Sequence, residues 1–246
     1  TLIASASTYN FIETTLSVKL FKIDLNVYLF HNGKSEPSFI WWKYMASTSI
    51  RENISSAIQY AFVDKQTPYF DENFIPRLLN NEELKLAQVL EHELKSCANF
   101  AFSVAFITNR TINNFLSIFS DLNNKGIQGR ILTTDYLYFT EPGALRQLLA
   151  LPNLEVRIFR TQGAAGFHTK GYIFHSSNNL LRIIIGSSNL TLSALTTNRE
   201  WNTRIVACER GELAQSILAE FDALWSDAAS RDAALEMEAY EGEYRQ

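Results

Sequence analysis

The alternation of helix-like and strand-like segments from about residue 80 onward is the feature that most constrains the fold of this 246-residue chain. Apolar side chains recur at helical spacing in residues 84–94, and FAFSVAFI then has the composition of a buried strand. The same order repeats in TINNFLSIFSDLNNKG with GRILTTDY, and in EPGALRQLL with LEVRIFR. Helices that alternate with strands predict an α/β sandwich, in which a central mixed sheet is flanked by helices.

Residues with strong preferences for helix ends support this division. We expect Asn81 to cap the first helix, because its side chain can accept a hydrogen bond from a free N–H group of the first turn. Gly126 should end the second helix, and Pro142 should lie in the first turn of the third. Beyond residue 208 the pattern predicts two further helices with many exposed carboxylates.

The first fifty residues follow a different pattern. Residues 21–29 alternate apolar with mostly polar side chains, HNGKSEPS has the composition of a turn, and FIWWKYM could supply a second strand. We therefore expect a β-hairpin appendage in residues 1–50 and an α/β domain in residues 51–246 that includes the acidic C-terminal helices. The aromatic rings of FIWWKYM could stack on bases, but packing within the hairpin is the simpler interpretation.

Acidic residues are concentrated near the end of the chain, which changes what the net charge of −4 implies about partners. From Glu209 to Gln246 there are 10 Asp and Glu against 3 Lys and Arg, whereas residues 1–208 hold 16 against 19. The body of the chain is thus compatible with a phosphate-rich ligand. The sequence has no run of about 18 apolar residues and no signal-peptide pattern, which predicts a cytoplasmic protein without a membrane partner.

Three strand-like segments between Gly166 and Cys208 carry the side chains best suited to chemistry. In GFHTKGYIF, His168 and Lys170 are two residues apart, so they point to the same face of an extended strand. An imidazole beside an ammonium can act as nucleophile or proton carrier toward a phosphodiester whose oxygens the lysine neutralises. A single histidine at a strand start is more often structural than catalytic, so the interpretation of His-x-Lys depends on the other two segments.

Small and polar residues at the ends of those two segments can converge on the histidine. Gly186 and Ser187 would let a phosphate approach the backbone, and the Asn189 amide could hold a phosphoryl oxygen. Glu200 could accept the proton of one ring nitrogen of His168 and leave the other nitrogen free to attack. The alternative for GSSNLT is an ordinary turn capped by Ser or Asn.

In combination, GFHTKGYIF, IIIGSSNLTLSAL and NREWNTRI resemble the phospholipase D superfamily, and more closely the nuclease-type domain at the N-terminus of bacterial helicase-like (DEAD/DEAH box) proteins. The resemblance covers residues 55–243. It implies a phosphodiesterase that needs no metal or cofactor and uses one histidine as nucleophile and a second as acid for the leaving group. It also implies nucleic acid, with DNA favoured, as the substrate.

The resemblance assigns roles to particular residues of this chain. His168 becomes the nucleophile or acid, and Glu200 the carboxylate that orients it. Lys170 and Asn189 become ligands of the phosphate. Gly186, Ser187 and Ser188 would be further substrate-binding residues.

One position departs from the family's pattern, in which an Asp follows the lysine by five residues. This chain has His175 there, and strand alternation places position 175 on the face opposite His168. Two interpretations stay open: an active nuclease, or a weak or inactive phosphate pocket that binds DNA for an attached helicase. A lipid phosphodiesterase is a third, although no amphipathic basic helix supports it.

The family mechanism requires two His-x-Lys motifs, and this chain has one. The other histidines, His31, His92 and His175, lack a lysine two residues further on. We therefore expect a symmetric homodimer with the active site across its interface. A distant segment of a longer parent chain could instead supply the second histidine. The segment EMEAYEGEYRQ resembles the connector that leads into the helicase in such proteins.

Overall fold

The computed structural model describes residues 76–161, 166–177 and 179–245, together with the backbone of two strands nearer the N-terminus. The chain divides into two compact units, Thr1–Asp71 and Glu72–Gln246. The domain boundary predicted at residue 50 stays a prediction.

The first unit contains a β-hairpin. Strand β1 (Glu13–Val18) pairs antiparallel with β2 (Ile23–Tyr28). The alternation of residues 21–29 correctly predicts β2, but its partner is the preceding strand, which the sequence analysis did not identify. FIWWKYM lies outside the described residues.

The described part of the second unit forms one eight-stranded sheet with six α-helices. Its strands are β3 (Arg77–Leu79), β4 (Asn99–Val104), β5 (Gly129–Thr134), β6 (Leu154–Phe159), β7 (Lys170–His175), β8 (Leu180–Gly186), β9 (Asn202–Cys208) and β10 (Ser230–Asp232). Its helices are α1 (Leu86–Ser96), α2 (Asn109–Asn124), α3 (Pro142–Leu149), α4 (Leu192–Thr196), α5 (Glu212–Ser226) and α6 (Ala233–Tyr244), with a short 3-10 helix at Tyr136–Tyr138. None of the helices described is long and apolar enough to cross a bilayer.

The strand order explains why the predicted site residues come together. The order is β10-β6-β5-β4-β7-β8-β9-β3; β4, β5 and β6 are mutually parallel, and the other neighbours are antiparallel. The C-terminal ends of β4, β5, β6 and β8 therefore lie at the same end of the sheet as the N-terminal ends of β7 and β9. We call this end of the sheet the motif edge; its described loops include residues 105–108, 135–141, 166–169 and 187–201. The architecture confirms the predicted α/β sandwich with a central mixed sheet.

Strand β7 is fixed in position because both faces of the sheet are packed. Tyr172 belongs to the core formed with α1, α2, α3 and α6, where its ring lies 5.0 Å from that of Phe102. The next residue, Ile173, belongs to a second core on the opposite face, where α5 contributes Phe221 and Trp225. Side chains that alternate between two cores hold a strand firmly in the middle of a sheet.

Asn81 does not cap helix α1 as the sequence predicts, because the helix begins five residues later, at Leu86. Asn81 is buried and has a left-handed backbone with φ of 64°. Its Oδ1 accepts a hydrogen bond from the Leu86 N–H at 2.9 Å. Its Nδ2 donates to the carbonyl oxygens of Ala194 and Asn198, at 2.8 and 2.9 Å. The side chain thus serves the helix start and also anchors the loop that leads to Glu200.

Candidate functional site

His168 and Lys170 lie side by side at the motif edge. Lys170 is the first residue of β7 and only 8% exposed, whereas the His168 side chain is exposed. Lys170 Nζ lies 2.9 Å from His168 Nδ1 and donates to the His168 carbonyl oxygen, also at 2.9 Å. An ammonium group can only donate, so Nδ1 accepts and the ring proton is on Nε2. The structure therefore brings the two predicted residues into direct contact.

The pKa of each of these two side chains is lowered, and burial is the main cause in both. For His168, partial burial lowers the pKa, and the positive charge of Lys170 lowers it further. For Lys170, burial lowers the pKa, while the negative charge of Glu200 raises it. A lowered imidazole pKa favours the neutral ring, which is the form that can attack phosphorus.

Phe106 contacts both members of this pair, and sequence reasoning missed it. Its ring centroid lies 5.9 Å from that of His168, at an interplanar angle of 73°. The Lys170 Nζ lies 6.0 Å from the same ring. The residue follows strand β4 in FAFSVAFI, where its only sequence signal was membership of an apolar run. The ring forms an apolar wall beside the exposed imidazole.

Asn189 lies next to Phe106 and has a free donor group. Its Oδ1 accepts from the Phe106 N–H at 3.3 Å. Leu190 holds the two loops together, since its N–H donates to the Phe106 carbonyl oxygen at 3.0 Å and its own carbonyl oxygen accepts from the Thr108 N–H at 3.2 Å. Within the described part of the chain, the Asn189 Nδ2 has no hydrogen-bond partner. It is therefore available to donate to a phosphoryl oxygen.

Glu200 is bonded to Ser187, not to His168. The Ser187 hydroxyl donates to Glu200 Oε2 and accepts from the Trp201 N–H at 3.0 Å. Glu200 lies in the loop between β8 and β9 at the motif edge, and its negative charge raises the pKa of Lys170. Among the residues that the structure describes, Glu200 makes no hydrogen bond to the imidazole, so the orienting role stays a prediction.

Gly186 and Ser188 shape the loop from inside. A Cβ atom at Gly186 would lie 2.2 Å from the Trp201 carbonyl oxygen, so glycine is required by the adjoining strand. Ser188 has no exposed surface. Its N–H donates to Asn202 Oδ1 at 3.1 Å, and its hydroxyl donates to the Ala194 carbonyl oxygen at 3.2 Å. The structure does not bring the Ser188 side chain to the surface beside His168.

Comparison with known proteins identifies the family. Residues 90–225, more than half of the chain, match the family model described as cardiolipin synthase, PLD-like domain. The chain belongs to the phospholipase D-like family. This confirms the superfamily resemblance, and members of this superfamily are phosphodiesterases and phospholipases.

Similar solved structures include two proteins whose chains are matched almost over their whole length. NucT from Helicobacter pylori has a TM-score of 0.50 at 15% identity, over 64% of this chain and 98% of that one. Nuc from Salmonella typhimurium, a phospholipase D family member, has a TM-score of 0.48 at 17% identity, over 64% and 96%. No curated protein sequence matches the chain significantly. At such low identity the likeness to NucT shows the fold alone.

In this PLD-like domain, His175 lies away from the site, as strand alternation predicts. It is the last residue of β7, at the end of the strand away from the motif edge. Its side chain lies on the opposite face of the strand from that of Lys170. Its Nδ1 lies 3.4 Å from Glu209 Oε1. Burial lowers the pKa of His175, and the charge of Glu209 opposes that effect. Among the described residues, the contacts of His175 therefore do not involve His168 or Lys170.

The site of the PLD-like domain combines hydrogen-bond donors with an accessible imidazole. Lys170 and Asn189 carry N–H groups of the kind that bind phosphate oxygens, and the His168 ring is exposed to solvent. Across residues 76–161, 166–177 and 179–245, no three His, Cys, Asp or Glu side chains cluster closely enough to hold a metal ion.

Proposed function

We propose that this PLD-like domain is a metal-independent nuclease in which His168 attacks the phosphorus of a nucleic-acid backbone. The observation that carries the proposal is the 2.9 Å contact between Lys170 Nζ and His168 Nδ1, with the lysine buried and the imidazole exposed. A fixed ammonium beside an accessible imidazole can bind an anionic phosphate directly in front of the nucleophile.

The reaction requires Lys170 to change partner. While Nδ1 accepts from Lys170, the ring proton occupies Nε2 and blocks attack from that nitrogen. When Lys170 moves to a phosphate oxygen, Nδ1 becomes free to hold the ring proton and donate it to an acceptor such as Glu200. The Nε2 lone pair can then attack. Substrate binding would in this way activate the nucleophile.

Catalysis then proceeds in two displacements at phosphorus. Nε2 of His168 forms a bond to phosphorus while the bond from phosphorus to the leaving oxygen breaks, and a second imidazolium gives that oxygen a proton. Water next attacks the phosphohistidine and passes a proton to the second imidazole as the P–N bond breaks. The products are two nucleic-acid ends and the original His168.

We propose that the second imidazole is His168 of another copy in a homodimer. The other described histidines do not lie at the motif edge beside His168: His175 is at the opposite end of β7, and His92 is exposed on α1. His31 is outside the described residues. An isologous dimer can bring two equivalent strand ends together at its twofold axis. Added His168→Ala chains should therefore suppress the activity of native chains by forming mixed dimers.

Nucleic acid is the substrate class that the chain's properties support best. Residues 1–208 carry more basic than acidic groups, which suits a polyanion. The resemblance of the three motif segments to nuclease-type domains of helicase-like proteins supports DNA and a helicase joined C-terminally, acting in the cytoplasm. A catalytically weak module that binds DNA for such a helicase is the alternative, because His175 replaces the family's usual Asp.

Cleavage of labelled single- and double-stranded DNA in EDTA tests the proposal. We expect the native chain to cut DNA, and His168→Ala to lower the rate by more than about 1,000-fold through loss of the nucleophile. His175→Ala is the matched control, because His175 lies at the other end of β7 and on the opposite face of the strand from Lys170. This variant should keep native activity.

Three results would contradict the proposal, the first two by excluding a nuclease and the third by excluding His168 as its nucleophile. Binding of DNA without cutting by any variant would favour the binding module. Hydrolysis of phosphatidyl lipids in place of DNA would favour a lipid phosphodiesterase. Equal loss of cutting in both histidine variants would show that His168 has no special role.

A further inference from the structure

We propose that the exposed segment Tyr136–Phe139, which we call the aromatic loop, binds an unpaired base of the nucleotide next to the scissile phosphate. The inference rests on the proposed nuclease function and narrows its substrate to single-stranded nucleic acid or to frayed ends. The loop connects β5 to α3 at the motif edge.

A continuous run of rings leads from the catalytic imidazole to this loop. The Phe139 ring centroid lies 4.9 Å from that of Phe106, nearly perpendicular to it at 88°. The Phe106 ring centroid in turn lies 5.9 Å from that of His168. A phosphate held by Lys170 would thus have an aromatic surface within reach of its attached nucleoside. Every base has a flat π-face that can stack on such a ring.

The loop exposes more apolar surface than a solvated turn needs. Phe139 is 54% exposed, Leu137 58%, and Tyr136 and Tyr138 38% each. Single exposed apolar residues are common, but a contiguous group indicates a binding surface. In the part of the chain that the structure describes, the exposed aromatic side chains include Tyr136, Tyr138, Phe139 and Trp201, all at the motif edge, and Tyr244 at the end of α6.

Buried polar contacts hold the base of the loop rigid. Asp135 Oδ1 accepts from both the N–H and the hydroxyl of Thr161, each at 2.8 Å. The buried Thr140 donates to the Ala105 carbonyl oxygen at 3.2 Å, and its own carbonyl oxygen accepts from the Tyr240 hydroxyl at 2.7 Å. A rigid support lets exposed rings bind a ligand without first being ordered.

The tip of the loop is strained, which is typical of functional segments. Leu137 and Tyr138 have φ of 53° and 52°, a left-handed conformation that residues other than glycine rarely adopt. Such conformations persist where the surrounding contacts enforce them, and they cluster at ligand-binding sites. Here the strain turns hydrophobic side chains outward, although burial would favour the opposite.

The charges around the loop favour a base over a membrane surface. Arg160 is engaged by the carboxylates of Asp135, Glu236 and Glu243. The Tyr138 hydroxyl donates to Glu243 at 3.4 Å. A loop that docks on anionic lipid is usually flanked by unpaired basic residues, whereas the carboxylates beside this loop would repel an anionic lipid surface. An uncharged base that stacks on Phe139 is not repelled by these carboxylates, and only an unpaired base offers a free face.

Affinity for two oligomers of equal charge tests the proposal. One is a dodecamer of thymidylate, and the other is an abasic deoxyribose-phosphate chain of the same length. Phe139→Ala should raise the Kd for the thymidylate by roughly 5- to 100-fold, the range expected for loss of one stacked base. It should change the Kd for the abasic chain by less than about twofold. Phe139→Trp should bind thymidylate at least as well as the native chain.

Leu213→Ala provides the matched control, since Leu213 is 51% exposed but lies at the start of α5, away from the motif edge. Its affinities should equal those of the native chain. An equal loss of affinity for both oligomers in Phe139→Ala would overturn the inference. Native affinity for the thymidylate dodecamer in Phe139→Leu would also overturn it. So would binding to cardiolipin vesicles that depends on Phe139. If His168→Ala still abolishes cutting in those cases, the nuclease proposal stands by itself; if the native chain neither binds nor cuts thymidylate, both fail.

Discussion

Asn81 connects the start of α1 with the loop that carries Glu200, so its replacement should have a large effect on stability. The side chain is 5% exposed and makes three hydrogen bonds of 2.8 to 2.9 Å, one to the Leu86 N–H and two to the carbonyl oxygens of Ala194 and Asn198. The backbone is left-handed, with φ of 64°. Asn81→Ala removes the hydrogen bonds and puts a less suitable residue in that conformation.

The two effects can be separated with a second variant. Three hydrogen bonds at a net value of about 1 kcal/mol each give a loss of about 3 kcal/mol in the free energy of unfolding. Asn81→Gly should show only this loss, because glycine accepts the left-handed conformation. Asn81→Ala should lose roughly 1 kcal/mol more, because its Cβ makes that conformation unfavourable.

Urea unfolding of the two variants measures these losses. Asn80→Ala is the control, since the neighbouring Asn80 makes one exposed hydrogen bond, to the Glu82 N–H at 3.1 Å. We expect that control to stay within about 0.5 kcal/mol of the native chain. If Asn81→Gly were as stable as the native chain, or if Asn80→Ala lost as much as Asn81→Ala, the bridging role of Asn81 would be refuted.

Two further predictions concern buried charge and pH. Glu93 is 1% exposed and forms ion pairs with Arg182 and Arg204. Glu93→Gln should therefore lower the free energy of unfolding, measured with urea, by about 3 kcal/mol. The control on the same helix, Glu91→Gln, breaks an exposed ion pair and should lower it by less than about 1 kcal/mol. Because burial lowers the pKa of His175 below its ordinary 6.5, the unfolded chain binds that proton more tightly, and stability should fall as the pH drops below about 6.5. Urea midpoints at pH 7.5 and 5.5 should differ less in His175→Gln; an unchanged difference would show that His175 does not contribute.

Local sequence patterns predicted much of the fold because they depend on near neighbours. Alternation of helices and strands gave the sandwich, and the two-residue spacing of His168 and Lys170 placed both on one face. Gly126 follows α2 with φ of 67°, and Pro142 is the first residue of α3, as expected from their backbone preferences. The position of His175 on the far face also follows from strand alternation.

Contacts between distant segments could not be predicted in the same way. Two of the three hydrogen-bond partners of Asn81 lie more than 110 residues away, and the pairing of β3 with β9 joins similarly remote parts of the chain. The contact of Phe106 with Phe139 depends on two loops meeting at the motif edge. Sequence spacing says little about the hydrogen-bond partners of Glu200 and Ser188, and both side chains make contacts that were not expected.

The most direct test of the central claim is detection of the covalent intermediate on His168. Single-stranded DNA would be mixed with the protein in EDTA and quenched with detergent at alkaline pH, and the peptides would be analysed by mass spectrometry. We predict a nucleotide adduct on the peptide containing His168, present in His175→Ala and absent in His168→Ala. An adduct on a different residue, or cutting by His168→Ala at the native rate, would contradict the claim that His168 is the nucleophile.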